Sequence, residues 1–102
     1  MSETARTCYV AVHIGAGYHS LHKEKAYKAV IKQACIAAMD QLRQGRSAND
    51  AVEHAIRVME DAPITNAGIG SNLNRLGLVE CDAAIMCSDP DAFGAVGATS
   101  GK

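Results

Sequence analysis

Thr65-Asn66-Ala67-Gly68-Ile69-Gly70-Ser71-Asn72-Leu73-Asn74 follows Asp61-Ala62-Pro63 and leads into Leu78-Val79-Glu80-Cys81-Asp82-Ala83-Ala84-Ile85-Met86. Small residues alternate here with amides and a hydroxyl, outside any helical period. Glycine permits dihedrals that other residues resist, and it lets a backbone approach a neighbour closely. Helical periodicity lies before this run and strand alternation after it. It is the segment of the chain best suited to form a site.

Upstream, two helices are predicted. Tyr27, Val30, Ile31, Ala34, Ala38 and Leu42 recur at three- and four-residue steps, one apolar stripe on a helix over about residues 21–44. Lys23, Lys32 and Asp40 lie off that stripe. Gly45 is a C-terminal stop, with Arg43 favourably placed in the last turn. Ser47 reads as the N-cap of a second helix, with Asp50 at capping-box spacing where Glu is usual. Ala48, Ala51, Val52, Ala55, Ile56 and Met59 form its stripe, and Pro63 ends it. The short connection implies that the two helices pack antiparallel.

Strands are predicted on either side. Cys8-Tyr9-Val10-Ala11-Val12-His13 is β-prone and nearly all apolar, a strand buried on both faces, closed by Gly15-Ala16-Gly17. Residues 71–74 and 78–86 read as two strands around Arg75-Leu76-Gly77. Cys87 to Asp91 reads as a turn, and Phe93 to Ala98 as a further strand. Residues 1–7 are polar and read as a disordered tail. The order is strand, helix pair, then several strands, an α+β layered arrangement with the helices on one side of a sheet. A sheet of three or four strands leaves edges unpaired and one face uncovered. The expectation is therefore that residues 8–102 form a partial domain, truncated at its C-terminus.

Bulk properties exclude more than they assert. Aromatics make up only 4% of the chain and Trp is absent, so a core built largely from alanine would be thin. A formal net charge of −1 gives no nucleic-acid signal. Lys23, Lys25, Lys28 and Lys32 cluster loosely, but Glu24 interrupts them and a solvated helix face is the favoured reading. Cys8, Cys35, Cys81 and Cys87 are irregularly spaced, and no apolar run suits a signal peptide or a membrane span. A reducing compartment, cytoplasm or nucleus, is expected.

Each candidate chemistry has a plainer reading beside it. Gly15-Ala16-Gly17 at a strand–helix junction suggests a dinucleotide fingerprint. However, Ser20 stands where the third glycine belongs, and a second helix follows where a parallel strand should. What remains for those glycines is to present backbone N–H groups to an anion or oxyanion. His13, His19, His22 and His54 match no zinc spacing with Cys8 or Cys35, so no metal or other cofactor is called for. Ser71 and Cys81 are nucleophiles in principle, without an elbow motif or a visible base. Glu80 and Asp82 share a strand face and could share a site, with a structural role favoured.

Three segments together resemble the type-2 asparaginase family of N-terminal-nucleophile hydrolases. Val12-His13-Ile14-Gly15-Ala16-Gly17-Tyr18-His19-Ser20 is similar to its His-Xaa-Gly-Ala-Gly segment, and the Tyr-His-Ser extension resembles the threonine aspartase (taspase) branch. Asp61 to Asn74 is similar to its Asn-Ala-Gly-Xaa-Gly-Ser loop. Gly77 to Met86 and Phe93 to Gly97 are similar to the strands that follow. The likeness covers nearly all of residues 8–101.

The resemblance implies an αββα sandwich and a self-cleaving precursor. Cleavage frees a threonine whose own α-amino group serves as general base. In the protease branch the activity is endopeptidase cleavage after aspartate, and an asparaginase or isoaspartyl peptidase is the alternative. It also implies that Gly15 and Ala16 line an anion pocket for substrate, and that Asn66, Ala67, Gly68, Gly70 and Ser71 support the nucleophile. Ile14 departs from the small residue usual at its position and stiffens the strand. The chain's threonines are Thr4, Thr7, Thr65 and Thr99, and none opens a strand-forming segment as the mechanism demands. The chain alone is therefore expected to be inactive. Its expected partners are a protein substrate and either further copies or the missing C-terminal part, not nucleic acid or membrane. A non-catalytic isoform that binds a full-length partner is the competing class.

Overall fold

The structure is a computed structural model that describes residues 6–100. Most of the expected tail, residues 1–5, lies outside it, as do Gly101 and Lys102. The described residues divide into two compact units, with the boundary inside the second helix between Val58 and Met59. The architecture is α+β: two helices, then two antiparallel strands. That is the order expected of the N-terminal part of the sandwich.

In the first unit the predicted strand at Cys8–His13 is absent. Residues 6–15 carry no helix or strand, and Tyr9 is 87% exposed. A strand buried on both faces needs paired neighbours on each side, and the sheet among the described residues has only two strands, β1 and β2. β-propensity is expressed only where a sheet receives it.

A 3-10 turn, Leu21–Lys23, leads into α1, Glu24–Arg43. Ala34 and Ala38 are its buried residues, while Tyr27, Val30, Ile31 and Leu42 are half-buried, as the stripe predicts. Glu24 and Lys28 pair at 2.6 Å across one turn, which holds the Glu24 carboxyl below its ordinary range. Gly45 ends the helix in the left-handed region at φ 77. Its N–H donates to Leu42 O, and the Arg46 N–H reaches back to Gln41 O, both at 3.0 Å. This pair of hydrogen bonds is a Schellman cap, and it satisfies carbonyls that the helix leaves free.

α2, Ala48–Asp61, opens on the predicted box. The Asp50 N–H donates to Ser47 Oγ at 3.1 Å, and the Ser47 N–H donates to Asp50 Oδ2 at 3.2 Å. The Ser47 hydroxyl also donates to Asp50 Oδ2, at 2.9 Å. Aspartate thus does the work of glutamate by drawing the hydroxyl in. These bonds hold the Asp50 carboxyl below its ordinary value. The buried row is narrower than predicted: Ala51, Ala55 and Met59 are buried, whereas Val52 is 51% and Ile56 45% exposed. The residues at four-residue steps carry the buried face, and their neighbours one position on stand at its edge. No helix among the described residues is long and apolar enough to cross a membrane.

In the second unit, residues 71–74 are not a strand either. Asn74 Oδ1 accepts the N–H groups of Leu76 and Leu78, at 2.9 and 3.0 Å, and the Asn74 N–H donates to Leu78 O at 2.8 Å. The side chain draws local backbone donors into a turn before a ladder can take them. β1 then runs Glu80–Ser88 and β2 Asp91–Ser100, joined through Asp89 and Pro90. β1 thus starts and ends two residues later than the alternation suggested, while β2 extends two residues beyond its predicted span at each end and takes Asp91 from the predicted turn. Their register slips between Cys81 and Ala83, where Gly97 and Ala98 together oppose Asp82. Ala98 lies at φ 50, and its N–H donates to Asp82 Oδ1 at 2.8 Å. The bulge gives Asp82 the structural role favoured above. β2 is exposed along its whole length.

Candidate functional site

The predicted site residues fall in two places, one in each unit. Gly15 and Gly17 lie at φ 107 and 120 in the first unit. A Cβ on either would meet nothing within 4 Å, so conformation alone demands glycine there. The Gly15 N–H donates to His13 Nδ1 at 3.2 Å. His19 Nε2 lies 3.2 Å from Gly15 O, and its ring meets Tyr27 of α1 edge-on, with centroids 4.9 Å apart. Both polar groups of Gly15 are thus held by histidines. Ala16 sits exposed between the two glycines. Neither histidine contact is marked by any spacing rule, because both follow from the turn.

The Asn66–Ser71 loop in the second unit is built differently. Thr65 is 6% exposed, and its hydroxyl bonds the Met59 carbonyl at 2.6 Å, with Ala62 O at 3.2 Å. These are carbonyls at the end of α2, where the helix has run out of donors. The Thr65 N–H also donates to Ala62 O, at 3.2 Å. One buried threonine therefore fastens the start of the loop to the helix end. Its hydroxyl is engaged as a clasp, and sequence reasoning weighed it only as a nucleophile. The signal was there: a Thr two residues beyond Pro63 is within reach of orphan carbonyls.

From this anchor the loop closes on itself. Gly68–Gly70 make a 3-10 turn, with Gly70 N–H to Ala67 O at 3.1 Å and Ser71 N–H to Gly68 O at 3.2 Å. The Asn72 N–H donates to Asn66 Oδ1 at 2.8 Å, which joins the two ends. Gly68, at φ 52, packs against Glu60, where a Cβ would lie 2.7 Å from Glu60 Cβ. At Gly70 a Cβ would lie 2.5 Å from Pro63 O and closer still to Thr65 O. These glycines are demanded by crowding, so the loop is compact backbone packed on backbone.

Ser71 and Cys81, both half-buried, do come together: Oγ and Sγ are 3.4 Å apart. Thr99 Oγ1 donates to Cys81 O at 2.7 Å. Among the described residues no histidine or carboxylate bonds either candidate nucleophile, so the pair lacks a base. Glu80 is exposed, and Asp82 is committed to the bulge.

Comparison with known proteins gives these segments a setting. A family described as asparaginase matches residues 6–100. An isoaspartyl peptidase/L-asparaginase of Xenopus laevis is 45% identical over 89 residues, which cover 87% of this chain and 29% of the relative. A plant-type L-asparaginase of Pyrococcus horikoshii is 50% identical over 90 residues, covering 85% and 28%. An isoaspartyl peptidase/L-asparaginase of Bos taurus is 44% identical over 92 residues, covering 87% and 29%. The chain spans less than a third of the length of these relatives.

Proposed function

The chain belongs to the asparaginase family, type 2, a hydrolase family of the N-terminal-nucleophile superfamily, and on that premise we propose that it supplies the nucleophile-free part of an asparaginase or isoaspartyl peptidase. The observation that carries this reading is the Asn66–Ser71 loop, closed by Asn66 and anchored by Thr65, within a segment 45–50% identical to such enzymes. The loop acts as a stiff support against which a threonine nucleophile, carried on another segment, is held. Gly15 and Ala16 form a turn whose backbone N–H groups, that of Gly15 once freed from His13, would meet a substrate carboxylate or an oxyanion. The nucleophile arises by self-cleavage of a longer precursor, and its own α-amino group removes the hydroxyl proton. Without the segment that carries the threonine, these 102 residues are expected to show no turnover. The chain works by assembly with that segment, in the cytoplasm or nucleus.

A second reading, cleavage of proteins after aspartate, is favoured by Tyr18-His19-Ser20, in which His19 is tied to both Gly15 O and Tyr27. A third, a non-catalytic binder, draws on the exposed hairpin, where Phe93 and Met86 are 67% and 78% exposed. Intact mass of the native protein in its source cells comes first. A species much heavier than 10.7 kDa, or two chains from one precursor, is expected. That protein is then assayed for ammonia from L-asparagine, hydrolysis of an isoaspartyl dipeptide and cleavage of an aspartate-containing peptide. Turnover of the first two supports the proposal. Turnover of the peptide alone moves it to the protease branch, and turnover by the 102-residue chain itself overturns it.

A further inference from the structure

We infer that His13 gates the anion turn, keeping the Gly15 N–H occupied while its ring is neutral and releasing it when the ring is protonated. The inference rests on the placement of Gly15 in an anion pocket. The Gly15 N–H can donate to His13 Nδ1 only while that nitrogen carries a lone pair, which puts the neutral ring's proton on Nε2. In that state the group most needed by an anion is already used. A second proton on the ring makes Nδ1 a donor, so the bond must break. The freed N–H then points from a turn that also has a new positive charge beside it.

The rest of the turn stays in place during this exchange. Gly15 and Gly17 hold their positive φ, and His19 remains bonded to Gly15 O and packed on Tyr27. A carbonyl only accepts, so His19 Nε2 is the donor in that contact. The Nε2–H tautomer and the protonated ring both supply that proton, so this bond survives acidification. The titratable groups bonded to or stacked on the turn are His13, His19 and Tyr27, and no described ion pair involves them. Imidazoles change charge between pH 5 and 8, where tyrosine does not. Since His13 holds the N–H of Gly15 and His19 its carbonyl, which lies in the next peptide unit, only His13 changes what the N–H can do.

The test uses sulfate, whose charge is constant over that interval, and the amide signals of Gly15 and Gly17 in the 102-residue chain. In the absence of sulfate, the Gly15 amide shift is expected to follow the His13 ring titration. Sulfate is expected to bind roughly fivefold or more tightly at pH 5.5 than at pH 8, the factor one net hydrogen bond carries. His13→Ala frees the N–H at both pH values and flattens the response. His13→Gln keeps a non-titrating acceptor and also flattens it, with helix content checked by circular dichroism. A wild-type pH response retained by both variants overturns the gate, as does a Gly15 amide indifferent to His13. If the amide follows His13 but sulfate perturbs neither glycine at any pH, the gate stands and the anion-pocket reading falls.

Discussion

Replacing Gly70 by alanine separates steric demand from conformational demand in the loop. Three glycines of the second unit make the comparison. Gly77 lies at φ 76 with nothing within 4 Å of a Cβ, so alanine there meets only the left-handed penalty, about 1–2 kcal/mol. Gly70 is outside the left-handed region, yet its Cβ would meet Thr65 O, Pro63 O and Pro63 C, the last at 2.8 Å. All three are backbone atoms that cannot rotate aside. To relieve the contact, Pro63 O must retreat from 2.5 Å to the 3.4 Å at which ordinary contact begins. Thr65 resists any such shift, because its N–H and hydroxyl are both bonded to the end of α2.

Overpacking in a well-filled site costs about 1–3 kcal/mol, and a contact with fixed backbone belongs at the upper end or beyond. Gly68→Ala combines both penalties and is expected to be the worst of the three. Hydrogen exchange of the Gly70, Ser71 and Asn72 amides reads the result directly, since each is a donor within the closed loop. Gly77→Ala should leave their protection within about tenfold of wild type, because its penalty falls in a separate turn. Gly70→Ala should reduce it to that of an unfolded chain. Equal protection in Gly70→Ala and Gly77→Ala would refute the claim that the loop is held by backbone packing.

Thr65→Val keeps the shape but removes the hydroxyl's one proton, and with the Met59 carbonyl losing its shorter donor it should destabilise the loop by about 1 kcal/mol in the same exchange measurement. Ser47→Ala should cost about 1 kcal/mol of α2 stability in urea titrations followed by circular dichroism. The Asp50 carboxyl is held below its ordinary value when folded, so its contribution is present at neutral pH and is lost as pH falls through that lowered value. Acid titration of α2 should therefore lose this increment below the usual carboxylate range, and in Ser47→Ala much of it should already be gone. Ala98→Gly should stabilise the hairpin by a few tenths to about 1 kcal/mol, the left-handed strain relieved less the backbone entropy of glycine. A thermal melt unchanged or lowered in Ala98→Gly would show that the bulge carries no such strain.

The parts of this chain that could be read from its residues are those whose partners lie within a few positions. The Ser47–Asp50 box, the Gly45 stop and the alanine rows need only neighbours three or four residues away, and all are present. Residues 8–13 and 71–74 depart from their predicted strands for one shared reason. Their β-propensity is real, but a strand is a pairing and not a property of a segment. Asn74 shows how little is needed to tip such a segment, since one side-chain oxygen captures two of the donors that follow it. The candidate site was legible as glycine and amide composition, whereas its clasp was not, because Thr65 was weighed only as a nucleophile.

The two glycine clusters look alike in sequence and differ in physics, and that difference bears on how such a site can work. At Gly15 and Gly17 a Cβ would meet open space, and only the backbone conformation calls for glycine. At Gly68 and Gly70 the space is already filled by Glu60, Pro63 and Thr65. A ligand could enter the second cluster only by displacing those groups, so under the proposed function its part would be to hold another group still. The first cluster can exchange its bond to His13 for one to an anion at the cost of a single hydrogen bond, on the order of 1 kcal/mol. On the proposed function, binding would belong to the turn and support to the loop. A substitution at Gly15 should weaken affinity for a substrate's anionic group. One at Gly70 should slow turnover without that loss, a division that separate KM and kcat measurements on the assembled enzyme would expose.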